Sequence, residues 1–96
     1  MSDYSRLKNE CKGKGIKVKE VRHRSILDYA GMNDEAAKKL GFRKLKDKTI
    51  WIDKNLCSKT KYRTLKHELV EMNLMEKKRM PYWKAHAIAT EKEKRK

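Results

Sequence analysis

His67, Glu68 and Glu71 lie within the five-residue run HELVE, and His86 follows further along the chain. On a helix, residues four apart point the same way one turn apart, so His67 and Glu71 form a pair able to grip one metal ion. An imidazole nitrogen and a carboxylate oxygen are both acceptable to zinc. In the HExxH pattern the Glu beside the first His is the general base that activates a metal-bound water. Glu68 stands at that position, while Glu71 replaces the second His, giving HExxE. A catalytic zinc site takes three protein ligands and keeps one position open. His86 is the candidate third ligand, because Ala85, Ala87 and Ala89 around it let two helices approach closely. Glu93, or failing that Glu91, would be a fourth ligand or an acceptor for a histidine N–H. The competing reading is plainer: His67 and His86 are satisfied polar residues packing two helices together.

Several elements must position these groups. A helix is expected from Ser2 to Cys11, ended by Gly13 and Gly15. Ile16 and Val18 alternate with Lys17 and Lys19 as a strand does, and Val21 falls off that phase. Ser25 to Ala30 reads as a helical turn ending at Gly31. Asn33 or Asp34 would cap a helix from Glu35 to Leu40, stopped by Gly41. After a turn at Lys46-Asp47-Lys48, Thr49-Ile50-Trp51-Ile52-Asp53 is the clearest strand, with Ile50 and Ile52 on one face and Trp51 on the other. Ser58 or Thr60 would cap a long helix reaching about Lys78, whose buried stripe is Leu65, Leu69, Met72 and Met75 or Glu76. Arg79-Met80 makes the next turn. Pro81 opens a last helix whose apolar face includes Trp83 and Ala87, with Ala85 or Ile88. The order α-β-α-β-α-α predicts an α+β domain with a short sheet and a C-terminal two-helix hairpin that carries the candidate site.

Ninety-six residues allow a single domain with a thin core, one that a metal or a partner would help. It divides into a basic α/β part, about 1–48, and a strand-plus-hairpin part, about 49–93. Cys11 and Cys57 stand far apart in no CxxC spacing, which excludes a four-cysteine zinc module. Cys57 is expected as a small buried thiol and Cys11 as a half-exposed one. No apolar run approaches a membrane span, and the N-terminus lacks the apolar segment of a signal peptide, so an intracellular location is expected. Abundant Lys and the absence of Gln fit a thermophile, and an AT-rich genome equally.

The run from Ile50 to Glu93 resembles a group of small zincin-like metallopeptidases found in phages, archaea and mobile elements. Their pattern is a strand I-x-I/V-D, a helix with L-x-HE-x-x-E, a turn, then Y-x-x-AH-x-x-A. The matching residues are Ile50, Ile52 and Asp53, then Leu65, His67, Glu68 and Glu71, then Tyr82, Ala85, His86 and Ala89. The chain is also similar in plan to minimal gluzincins. The resemblance implies a zinc-dependent hydrolase of peptide or protein substrates, acting through a zinc-bound water. It also implies that the TIWID strand lies beside the site as an edge able to pair with an extended peptide. An ordinary gluzincin would have His at position 71, where the carboxylate of Glu71 makes bound water less acidic, and many relatives of the group place Gly where this chain has Arg79-Met80-Pro81.

A different class of function rests on charge. The net charge of +14 attracts polyanions by counterion release. Lys12, Lys14, Lys17, Lys19, Arg22 and Arg24 concentrate it near the N-terminus and are candidate nucleic-acid contacts. His23, between two arginines, reads as part of that basic surface. The hairpin would then hold a structural or degenerate metal site. No zinc-finger spacing, aromatic RNA-binding strand or clear helix-turn-helix accompanies these residues.

Overall fold

The computed structural model describes residues 2–22, 31–33 and 48–94. The expected helices at 25–30 and 35–40, together with His23 and Arg24, lie outside the described residues. Helix α1 spans Asp3–Gly13, strand β1 Lys17–Val21, β2 Gly31–Asn33, β3 Thr49–Asp53, helix α2 Ser58–Lys77 and helix α3 Tyr82–Lys94. This is the expected α+β architecture with its C-terminal hairpin. No helix among the described residues is long and apolar enough to cross a membrane.

Ser2 caps α1 by accepting the Ser5 amide at 3.1 Å. The helix runs on through Gly13, and the break falls at Gly15, whose φ of +78° suits only a residue without Cβ. The Ile16 amide then returns to the Cys11 carbonyl at 2.8 Å and launches β1. Val21 completes that strand rather than leaving it, because β3 continues to pair beside it, Val21 against Asp53.

The sheet order is β1-β3-β2, with β3 parallel to β1 and antiparallel to β2. TIWID is therefore the central strand, and the expectation that it offers an edge to a peptide is corrected: β1 and β2 take its two sides. Residues directly opposite in a sheet share a face. The register places Val18, Ile50 and Asn33 in one row, and Glu20, Ile52 and Gly31 in the next. That face carries the main core, in which Ile50 and Ile52 meet Tyr4, Cys11, Leu65 and Met72. A second cluster, Leu74, Met75 and Ala85, closes the hairpin with Trp51, Val70, Met80, Tyr82 and Ile88.

Several side-chain expectations are corrected here. Cys11 is buried and Cys57 exposed, the reverse of the expectation, because α1 turns Cys11 into the core while Cys57 stands at the start of α2. Cys57 itself is the N-cap of α2, in place of Ser58 or Thr60, and its Sγ lies 3.3 Å from Thr60 Oγ1. On α3 the buried positions are Ala85 and Ala89, four apart, whereas Trp83 is 71% exposed and Ala87 is exposed as well. Small residues let the helix axes close up, and the bulky Trp83 is left on the outer side.

Candidate metal centre

Helix α2 buries polar groups as well as its apolar stripe. His67, Glu68 and Glu71 are all buried, and Glu71 keeps only 1% of its surface. The i, i+4 spacing brings His67 Nε2 to 3.0 Å from Glu71 Oε2. The turn after α2 decides what faces them. Arg79 adopts φ +52°, the Met80 amide returns to the Leu74 carbonyl, and Pro81 starts the reversed helix by accepting the Ala85 amide. Ala85 and Ala89 then seat α3 against α2. His86, between them, directs Nδ1 to 2.9 Å from Glu71 Oε2 and 3.3 Å from His67 Nε2. Tyr82, one turn earlier, stacks on the His86 ring at 5.4 Å.

Two imidazole nitrogens and one carboxylate oxygen thus form a triangle with edges of 2.9, 3.0 and 3.3 Å. A tetrahedral ion with ligand bonds of about 2.0 Å has ligand–ligand edges of about 3.3 Å. The triangle therefore has the size and the donor chemistry of three corners of such a shell. Among the described residues, His67, Glu71 and His86 are the one group of this kind able to hold a metal ion. These are the three ligands expected from the sequence.

Glu93 lies on the other side of His67. Its Oε2 is 3.4 Å from His67 Nδ1, the ring nitrogen facing away from the triangle. That nitrogen is buried and makes no hydrogen bond. Glu93 therefore stands behind the ring rather than at the triangle. Burial disfavours the His67 imidazolium, but Glu71, Glu68 and Glu93 outweigh it and raise its pKa.

Glu68 points to a different neighbour. Its Oε1 accepts a hydrogen bond from Asn33 Nδ2 at 2.9 Å, and the same amide nitrogen lies 3.2 Å from Glu71 Oε1. Burial, then the charge of Glu71, push the Glu68 carboxyl up to about 8, against the opposing pull of His67 and the Asn33 hydrogen bond. A carboxyl tuned toward neutrality beside a ligand triangle can take up and release a proton at ordinary pH.

Asn33 was not singled out as a site residue by the sequence. A three-residue strand carries no periodicity, and Gly-x-Asn after an apolar run reads as a helix stop followed by a cap. Lys12, Lys14, Lys17, Lys19 and Arg22 are each exposed, on α1, β1 and their connections.

Compared with family models, curated proteins and solved structures, the chain matches none, so the case for this site rests on its own residues.

Proposed function

We propose that the protein is a zinc-dependent peptidase, of the small zincin-like kind that its HExxE and AHxxA runs resemble. His67 Nε2, Glu71 Oε2 and His86 Nδ1 would hold the ion, and the carrying observation is the triangle they form beside the buried carboxyl of Glu68. Zinc bound there would supply Lewis acidity, polarising a substrate carbonyl and making a water easier to deprotonate. Glu68 accepts the proton of the attacking water and delivers it to the nitrogen of the breaking peptide bond. Glu93 steadies His67 from behind, as carboxylates commonly do for ligating histidines.

Metal content tests this reading. Untagged protein purified without chelator should carry one zinc per chain by mass spectrometry, and His67→Ala and His86→Ala should each lose it. A wild-type chain that arrives empty and takes up none on titration would overturn the proposal.

A second reading has one observation in its favour. Every described member of the N-terminal basic group is exposed, and Lys17 and Lys19 lie on β1, at the sheet's edge among the described residues. This surface would bind nucleic acid through its phosphates. Affinity for DNA or RNA should then fall steeply with salt, and charge reversal at Lys17 and Lys19 should weaken it for all sequences alike.

A further inference from the structure

The short strand β2 carries no candidate ligand, yet two of its three residues meet the metal-binding helix. Asn33 is fully buried. Its side-chain amide donates to Glu68 Oε1 at 2.9 Å and lies 3.2 Å from Glu71 Oε1 and 3.4 Å from the Glu68 carbonyl. Each contact crosses from the sheet to α2, over a separation of 35 or 38 residues. The Asn33 contact to Glu71 occupies Oε1, the oxygen turned away from the histidines, and Oε2 is the one that meets His67 and His86. An amide that fixes one oxygen of a carboxylate fixes where the other one points.

Gly31 explains how the strand comes so close. A Cβ built there would stand 2.6 Å from Thr64 Cγ2, 3.2 Å from Glu68 Cγ and 3.2 Å from the Trp51 carbonyl oxygen. The first of these is shorter than real Cβ contacts allow. Thr64 is β-branched, so its methyl has little freedom to give way. Gly31 and Asn33 lie two apart, on the same face of β2, so the missing side chain at one lets the other reach α2.

From this geometry we infer that Asn33 is a positioning residue of the metal centre, held in reach by Gly31, and that the Gly31-Met32-Asn33 strand is as much a part of the site as the hairpin. Asn33 is not among the residues placed to hold the ion. It orients the ligand Glu71 and the general base Glu68 together, which couples the two jobs of the site through one amide. The inference rests on the metal-centre reading above.

The test compares the wild type with Asn33→Ala, Asn33→Leu and Gly31→Ala as full-length chains. Asn33→Leu keeps the branched shape and the side-chain heavy-atom count of Asn on a buried strand and can donate nothing, so it carries the comparison if Asn33→Ala does not fold. Far-UV circular dichroism fixes a temperature at which the compared chains are folded. Zinc affinity is then measured by competition with a chromophoric chelator, and ligand geometry from the visible spectrum of the cobalt(II)-loaded protein. Loss of an orienting partner typically weakens metal binding roughly 10- to 100-fold, and that loss with an altered cobalt spectrum is the expected result for the folded Asn33 variant. Gly31→Ala should move both readouts in the same direction. A folded Asn33 variant with wild-type affinity and spectrum, however much its melting temperature drops, makes Asn33 merely structural and overturns the inference. A wild-type chain that binds no zinc overturns instead the reading on which the inference stands, so the two failures are distinguishable.

Discussion

Glu20 on β1 and Glu68 on α2 both face the space between sheet and helices, and are treated in opposite ways. Glu20 lies on the sheet face that packs against the helices, at the β1 side, and Lys61 reaches it at 2.6 Å, Tyr4 Oη at 2.9 Å and Lys8 at 3.8 Å. The chain compensates its charge fully, and its pKa is lowered, first by the Lys61 hydrogen bond. At the β2 side, Glu68 is buried against Glu71, with a neutral amide as donor. Burial leads the causes of its raised pKa, the charge of Glu71 adds to it, and His67 opposes it. Buried carboxylates are costly unless a proton, an imidazolium or another cation offsets their charge. The difference separates a carboxylate paired with lysines from a carboxyl buried beside another carboxylate and an imidazole.

The comparison breaks most visibly at the chemistry. Glu68→Gln keeps the shape and an acceptor for Asn33 while removing the base. Peptide hydrolysis should fall by roughly 10²- to 10⁴-fold, the usual contribution of a general base, with zinc content unchanged. Glu20→Gln should leave hydrolysis as it was. Loss of metal from the Glu68 variant would show instead that Glu68 holds the ion. The assay is turnover of a peptide that the wild type cleaves, beside metal analysis of the same samples.

Stability gives the next largest effect. A ligand at 100 times its dissociation constant stabilises the folded state by about 2.7 kcal/mol. In a domain of this size that raises the melting temperature by roughly 10–20 °C. Zinc should produce such a rise in the wild type and in Glu20→Gln, and none in His86→Ala. An equal rise in all three would place the ion elsewhere.

How much of this was legible in the sequence follows from the physics of each part. The hairpin was readable because its information is local: HELVE sets a helical spacing, Pro81 a helix start, and the alanines around His86 a close approach. The strand TIWID was readable from three β-formers in a row, but its place at the centre of the sheet was not, since strand order depends on pairings far apart in sequence. Asn33 escaped for the same reason. Its partners are more than thirty residues away, and nothing in Gly-Met-Asn announces a strand. The two cysteines and Trp83 were misplaced because a lone residue's burial depends on the direction its element faces. Composition says nothing of that.

The pH dependence of the metal-free protein sharpens the contrast, because the two carboxyls act with opposite sign. The folded-state pKa of Glu68 is raised to about 8, so its contribution is fully present below the ordinary carboxylate range and is lost as pH rises toward 8. Chelator-treated Glu68→Gln should therefore gain on the wild type in urea unfolding between pH 5 and pH 9, by roughly those limits of the window. A gap that does not change with pH would mean that Glu68 ionises in the folded state as freely as in the unfolded one.

Glu20 provides the mirror image and the smallest effect. Its folded pKa is lowered, so its contribution is present above the ordinary carboxylate range and disappears as pH falls through the folded value. Its side chain is one-third exposed, at 33%, and water screens such pairs, which limits an ion pair of this kind to about 1 kcal/mol at most. Burial, then the hydrogen bond to Glu20 and the Glu20 charge, keep the Tyr4 hydroxyl protonated well past its usual range, so that this hydrogen bond persists on the alkaline side. Melting curves of the wild type and Glu20→Gln should differ near pH 7 and converge as pH drops below about 4, the window that a lowered carboxylate defines. Added salt should shrink the neutral-pH difference, since much of it comes from Lys61 and Lys8 near the surface. Persistence of the full difference at acid pH would mean that Glu20 acts through packing on Tyr4, and the two carboxylates would then differ in burial alone.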